Sequence, residues 1–206
     1  MKMKLSLLGA LTSFALLHGA HAADLSNDDQ RFLRKAGESG MLEIQASQLA
    51  VEKSQHAEVT NFAEMMIKDH TAVDEELKAL AGAKGFQLPV ELDGGKARLM
   101  EKLRGLDGPD FDEEYVDEVA VDAHEDAVDL FEDAADDVDD ADIKAFAAKH
   151  LPALKKHLEM GRQLEEQIDN EDRRRRDTSR TTPADTTGSA QGSVVVPGTE
   201  KAPAPR

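Results

Sequence analysis

Apolar residues recur at helical spacing through most of residues 26–168, and this periodicity constrains the fold more than any other feature of the chain. One stretch contains Val59, Phe62, Met66, Val73, Leu77 and Leu80, and another contains Ile143, Phe146, Ala147, Leu154, Leu158, Leu164 and Ile168. Steps of three and four residues place such side chains on one face of an α-helix. Because each apolar face must be buried against another element, the pattern predicts an all-α helical bundle.

Capping residues and helix breakers predict where the helices begin and end. Four long helices are expected at residues 26–53, 57–83, 111–135 and 141–168, with a short helix at 96–103 between the second and third. Ser26 is the expected N-cap of the first helix, and Gly85 is expected to end the second. Residues 106–110 are expected to form a turn. Pro152 is expected to kink the fourth helix without ending it.

The first 22 residues have the three parts of a bacterial export signal. Lys2 and Lys4 precede an apolar run at residues 5–17, and Ala20-His21-Ala22 forms a small-x-small cleavage site. We therefore expect cleavage after Ala22 and a periplasmic mature chain. The apolar run is shorter than the roughly 20 residues that a membrane span needs, so no transmembrane anchor is expected.

The rest of the chain is expected to form one domain at residues 23–169, followed by a tail at residues 170–206. The domain has a length that can bury a substantial core. Because the chain has no cysteine, this core must stabilise it without disulfides. The tail is rich in Arg, Thr, Pro and Gly and loses the helical pattern, so it is expected to be disordered.

Acidic residues dominate the surface charge. The formal net charge is −17, and loss of the two signal-peptide lysines would make it −19. Such a surface repels nucleic acid and favours cations or basic partners. Between Asp110 and Asp142 there are 17 acidic residues and no lysine or arginine. We interpret most of them as a solvated helix face, with loose binding of divalent cations as the alternative.

Four consecutive arginines, Arg173, Arg174, Arg175 and Arg176, follow the fourth predicted helix. Positive charge is favourable at the carboxyl end of a helix, which is the simplest interpretation. The alternative is contact with anionic envelope components such as lipid phosphates. That contact would give a peripheral, salt-sensitive association with the outer membrane.

Polar residues interrupt the apolar stripes at five positions that should face the core. They are Glu43 on the first helix and His70, His124, His150 and His157 on the later helices. Imidazole and carboxylate groups inside a bundle are the usual ligands of buried metal sites. A buried carboxylate such as Glu43 also needs a cation beside it. These five residues are therefore candidate ligands of a transition metal, namely zinc, copper or iron.

A second interpretation needs no metal: the same residues can form a hydrogen-bonded layer that fixes the helix register. Spacing argues against a di-iron centre, which uses Glu-x-x-His on two helices. The residues three before the four histidines are Ile67, Val121, Ala147 and Leu154. A mononuclear or histidine-rich site stays open, and Met66 is a soft neighbour that would suit copper.

Three segments carry a family resemblance: GESGMLEIQASQLA at residues 37–50, VTNFAEMMIKDHTAVDEELKALAGAKG at 59–85 and IKAFAAKHLPALKKHL at 143–158. They resemble domain-of-unknown-function family 4142, exported bacterial proteins with a ferritin-like helical bundle, often labelled as outer-membrane proteins. The matching motifs are Asp69-His70, His124, His150-Leu151-Pro152 and His157. The resemblance implies a ferritin-like bundle, and with the short helix expected from the sequence pattern the predicted fold is a ferritin-like four-helix bundle with a short extra helix between helices two and three. It implies no reaction, because the family has no established activity.

No motif of a known catalytic class occurs in the chain. It has no nucleophile elbow, phosphate-binding loop or zinc-protease motif, so we do not expect an enzyme. The first hypothesis is an exported protein that holds a metal ion in its core and acts in envelope stress or homeostasis. The second is a structural or interaction protein of the envelope whose histidines are only hydrogen-bonded. A ferritin-like redox enzyme ranks last.

Overall fold

The protein is an all-α bundle, as the sequence predicted. The computed structural model describes residues 25–181, with side chains described up to residue 177. Its elements are α1 (Asn27–Lys53), α2 (Ala57–Ala83), α3 (Gly94–Gly105), α4 (Gly108–Tyr115), a π-helical segment (Val116–Asp122), α5 (Ala123–Asp137) and α6 (Ala141–Thr181). Because α4, the π segment and α5 are continuous, there are four long helical stretches with the short α3 between the second and third. The expected export signal and residues 182–206 lie outside the described residues.

The sequence-based boundaries of α1 and α2 are confirmed. At the start of α1, the Ser26 hydroxyl accepts a hydrogen bond from the Asp29 amide at 3.1 Å, and the Asp29 carboxylate accepts one from the Ser26 amide at 2.9 Å. This reciprocal pair is a capping box. At the end of α2, Gly85 adopts a φ of +71°, and the Phe86 amide donates to the Ala81 carbonyl at 2.9 Å. A positive φ is the backbone conformation in which glycine is favoured at a helix end.

The third long helix begins earlier than expected and is not α-helical throughout. Gly108, at a φ of +60°, and the proline after it begin α4, so the expected turn at residues 106–110 is partly helical. Proline is favoured in the first turn of a helix, where its missing amide costs nothing. The π segment was not expected from the sequence. Within it hydrogen bonds span five residues, as where the Ala123 amide donates to the Glu118 carbonyl.

The fourth long helix continues through Pro152, as expected, but ends later than the expected residue 168. α6 extends to Thr181. Beyond residue 168, Asp169 pairs with Arg173, and Asp172 pairs with both Arg175 and Arg176. Ion pairs three or four residues apart stabilise a helix without a buried face. These pairs account for helix beyond the point where the apolar stripe ends.

The apolar core consists of two clusters with a polar layer at their boundary. One cluster includes Phe32, Phe131 and Phe146, whose ring centroids are 5.1–6.3 Å apart. The other is built around Phe62 and Phe111. The four long helical stretches bring buried Glu43, His70, His124 and His157 to this boundary. In residues 25–181 no helix is long and apolar enough to cross a membrane.

Candidate metal centre

Three histidines from three helices converge in the polar layer. His70 comes from α2, His124 from α5 and His157 from α6, and none is more than 5% exposed. Their ring centroids are 5.3–5.7 Å apart. One ring nitrogen of each lies within 4.8 Å of the corresponding nitrogens of the other two. The three imidazoles therefore surround one point in the bundle interior.

Each of the three rings is oriented by one hydrogen bond. Nδ1 of His70 lies 2.7 Å from Oε2 of Glu43. Nδ1 of His124 lies 2.9 Å from the carbonyl oxygen of Val119. Nε2 of His157 lies 3.2 Å from Oδ2 of Asp69. Carbonyl and carboxylate oxygens only accept hydrogen bonds, so the ring nitrogen must carry the proton in each case.

The remaining nitrogen of each ring is buried and has no hydrogen-bond partner among the described residues. These atoms are Nε2 of His70, Nε2 of His124 and Nδ1 of His157. In a neutral imidazole with one protonated nitrogen, the other nitrogen carries a lone pair. Leaving a buried polar atom unpaired costs about 1–3 kcal/mol. A single ligand that bound all three nitrogens would remove this cost at each of them.

The arrangement fits a transition-metal ion. Metal-bound histidines almost always donate their second N–H to a carboxylate or a carbonyl, as these three do. Nitrogens bound at about 2.0–2.1 Å are roughly 3.3–3.6 Å apart, so the rings would close by up to about 1.2–1.5 Å from the 4.8 Å limit. A set of imidazole nitrogens suits zinc, copper or iron and does not suit calcium or magnesium, which take oxygen ligands.

Burial and neighbouring charges set the protonation states in the layer. Burial alone would raise the pKa of Glu43, but the charge and hydrogen bond of His70 outweigh it and lower the pKa to about 2. At His70 burial alone would lower the pKa, but the charge and hydrogen bond of Glu43 outweigh it, so the pKa is raised. Burial lowers the pKa of His124, and burial with the charges of His70 and His124 lowers that of His157 to about 4. His124 and His157 are therefore held neutral, the form that binds a metal.

Glu43 supports the site and does not lie among the three clustered nitrogens. Its Oε2 accepts from His70, and its Oε1 accepts from the Ser39 hydroxyl at 3.3 Å. A carboxylate in this position fixes the imidazole ring and raises its basicity as a ligand. The sequence-based expectation that Glu43 needs a positive partner is met by His70.

His150 is buried, as the sequence predicted, but the structure does not bring it to the other three histidines. Its Nε2 lies 3.0 Å from Oε2 of Glu76, and its ring packs on Phe146 at 4.6 Å between centroids. On α6 it precedes His157 by two helical turns. Its hydrogen bond leads to the half-exposed Glu76 at the protein surface.

Two groups that support the site were not found from the sequence. Asp69 precedes His70 in the sequence, yet it pairs with His157 on α6. The motif Asp69-His70 was the available signal, but adjacency gives no indication of that partner. The Val119 carbonyl is a backbone group in the π segment, and no side-chain pattern identifies it.

Fold and site together define an all-α helical bundle with three histidines at its centre. The chain belongs to the DUF4142 family, a family defined by a domain of unknown function, whose model matches residues 15–164. No curated protein matches it.

Solved structures of another family of unknown function, DUF305, are similar in fold. One, from Streptomyces coelicolor and described as a candidate secreted protein, has a TM-score of 0.59 at 13% identity, covering 71% of this chain and 96% of that one. A DUF305 fragment from Deinococcus radiodurans has a TM-score of 0.60 at 13% identity, covering 72% of this chain and 99% of that one. At this identity the likeness concerns the fold alone.

Proposed function

We propose that this protein is an exported helical bundle that binds one transition-metal ion, namely zinc, copper or iron, through His70, His124 and His157. One observation carries the proposal: each ring has one nitrogen held by a hydrogen-bond acceptor and a second nitrogen that is buried without a partner. Each ring brings one nitrogen to within 4.8 Å of the other two, and an ion that displaces the second proton favoured on His70 would find three lone pairs there. His150 and Glu43 are not ligands in this proposal.

Two sets of residues would surround the ion: those that bind it and those that orient the ligands. His70, His124 and His157 supply nitrogen ligands, and Glu43, the Val119 carbonyl and Asp69 fix their orientations. A bound ion would supply positive charge in the polar layer and cross-link α2, α5 and α6. Because the ligands must be neutral, the lowered pKa values of His124 and His157 favour binding at neutral pH, whereas the raised pKa of His70 means that the ion must displace a proton there.

The competing interpretation is a hydrogen-bonded layer that only fixes the helix register. The buried pair of Glu43 and His70 favours it, because such a pair specifies how α1 packs on α2. It accounts for one nitrogen on each ring. It gives no role to the three unpartnered nitrogens, each of which would cost about 1–3 kcal/mol if left unsatisfied.

Export to the periplasm and a role in envelope homeostasis belong to the same proposal. The export signal at residues 1–22 supports it, as does the description of the Streptomyces coelicolor neighbour as a candidate secreted protein. Mass spectrometry of the periplasmic fraction tests it. We expect a mature chain that begins at Ala23, and full-length protein confined to the cytoplasm would contradict export.

Metal analysis of untagged protein tests the binding function. We expect about one zinc, copper or iron ion per chain, and a lower melting temperature after removal of the ion with EDTA. Restoring the preferred ion at 100 times its Kd should add about 2.7 kcal/mol to the free energy of unfolding. Protein with no stoichiometric metal, and with no thermal shift on adding each of the three ions, would rule the function out.

A further inference from the structure

A close backbone contact joins the π segment to α6 beside the histidine layer. A methyl group at Gly161 would lie 2.1 Å from the carbonyl oxygen of Ala120 and 2.7 Å from its carbonyl carbon. Side-chain β-carbons essentially never approach other atoms within 3.0 Å. Both partners are backbone atoms, so no rotamer change can relieve the clash. Glycine is therefore the residue that allows these two helices to approach this closely.

The contact lies next to two of the three proposed ligands. Ala120 follows Val119, whose carbonyl accepts the hydrogen bond that orients His124. Gly161 lies one helical turn after His157, on the same face of α6. The contact therefore connects the backbone that orients His124 with the helix that carries His157.

We infer that the π segment and Gly161 together set the helix separation at the histidine layer, which makes Gly161 a positioning residue for the metal site. The inference rests on the proposed metal-binding function. An alanine at position 161 would have to move the two backbones apart by about 1 Å to reach an allowed contact. The three rings already have to close by up to about 1.2–1.5 Å to bind one ion, and a further separation of this size would add to that closure and weaken binding.

The other glycines inside helices show that this contact is not a general feature of the chain. At Gly40 and Gly82 an added methyl would meet nothing within 4 Å. At Gly37 the nearest atoms belong to side chains and are 3.5 Å away or more. Among the glycines of residues 25–181, Gly161 is the one where a methyl would clash with backbone. π segments inside longer helices are also frequent at functional sites, in agreement with this assignment.

The variant Gly161→Ala tests the inference, with Gly82→Ala as the matched control. Both changes favour helix formation, and only the first creates the clash. Three quantities are measured in each protein: the thermal unfolding of the EDTA-treated form, the Zn²⁺ affinity by competition with a chelator, and the visible absorption of bound Co²⁺. We expect Gly161→Ala to unfold cooperatively, to bind Zn²⁺ at least tenfold more weakly and to give an altered Co²⁺ spectrum. Gly82→Ala should match the wild type in affinity and spectrum.

The outcomes separate this inference from the function on which it rests. If the wild type binds none of zinc, copper, iron and Co²⁺, the proposed function fails and the inference fails with it. If the wild type binds Zn²⁺ and Co²⁺ and Gly161→Ala has the same affinity and the same Co²⁺ spectrum, only the inference is overturned. A Gly161→Ala chain that does not fold would also overturn it, because the glycine would then serve the bundle and not the site.

Discussion

Nδ1 of His70 lies 2.7 Å from Oε2 of Glu43, and the two side chains are only 3% and 2% exposed. The hydrogen bond is charge-assisted, which makes it shorter and stronger than a neutral one. It also outweighs the effect of burial, so that the pKa of Glu43 falls to about 2 and that of His70 rises. A carboxylate thus stays ionised inside the bundle and increases the electron density of the ring that faces the site.

Replacing Glu43 with glutamine should weaken metal binding about 10- to 100-fold, the usual effect of losing an outer hydrogen-bond partner. Glutamine keeps the size and one acceptor oxygen but removes the negative charge that favours a basic His70. Isothermal titration with Zn²⁺ measures the change. Glu76→Gln is the matched control, because Glu76 bonds to His150 outside the site. Unchanged affinity in Glu43→Gln would show that Glu43 does not act on the ligand.

Two histidines on the same helix should respond differently to replacement by glutamine. His157→Gln removes a proposed ligand, so the metal-induced rise in melting temperature should be lost. His150→Gln removes a buried histidine that bonds to Glu76, so the rise should persist even if the metal-free protein is less stable. Thermal unfolding with and without Zn²⁺ measures both. Equal responses of the two variants would contradict a site made of three histidines.

The burial of the histidines could be predicted from the sequence, but their convergence could not. Helical spacing put His70, His124, His150 and His157 on apolar faces, and all four are buried. His150 and His157 are seven residues apart, which separates them by about 10 Å along the helix axis. One metal ion can reach only one of them. The position of α6 along the bundle axis places His157, and not His150, beside His70 and His124. That position is set by tertiary packing, which the periodicity of one helix does not reveal.

The groups that orient the rings were also beyond sequence-based prediction. Side-chain periodicity carries no information on a backbone acceptor such as the Val119 carbonyl. It also failed to detect the π segment, since seven residues of altered hydrogen bonding leave the apolar stripe readable as α-helix. Gly161 offered a signal, because an interior glycine lowers helix stability and so indicates a packing requirement. Its partner, Ala120, emerges only from the structure.

Replacing Tyr115 with phenylalanine should lower stability without changing metal affinity. The Tyr115 hydroxyl lies 2.9 Å from the Ser47 hydroxyl, and both residues are fully buried. Losing this bond and leaving Ser47 unpaired should cost about 1–2 kcal/mol in the free energy of unfolding, measured by urea denaturation. The double variant Tyr115→Phe with Ser47→Ala should recover part of the loss, because no unpaired hydroxyl remains. An equal loss in the double variant would contradict this account.

Acid should destabilise the metal-free protein between about pH 6.5 and pH 4. In the folded state the pKa of His157 is about 4, and that of His124 is also lowered, so both stay neutral while the unfolded chain takes up protons from about pH 6.5 downward. More protons bound to the unfolded state means that stability falls as the pH falls. The raised pKa of His70 acts in the opposite direction, since its contribution is complete below about pH 6.5 and is lost as the pH rises. Below about pH 6.5 the contribution of His70 no longer changes, so the lowered pKa values of His124 and His157 determine how stability depends on pH.

The size of this effect can be measured in urea denaturation at pH 7, 6 and 5 with EDTA present. Each unit of pH changes the free energy of unfolding by about 1.4 kcal/mol for every proton difference, so His157 alone should remove about 2 kcal/mol between pH 6.5 and pH 5. The variant His157→Gln serves as control and should show a shallower dependence, because its side chain does not titrate. Stability that stays constant from pH 7 to pH 5 would mean that the folded and unfolded chains take up the same number of protons, which would contradict lowered pKa values for His124 and His157 inside the bundle.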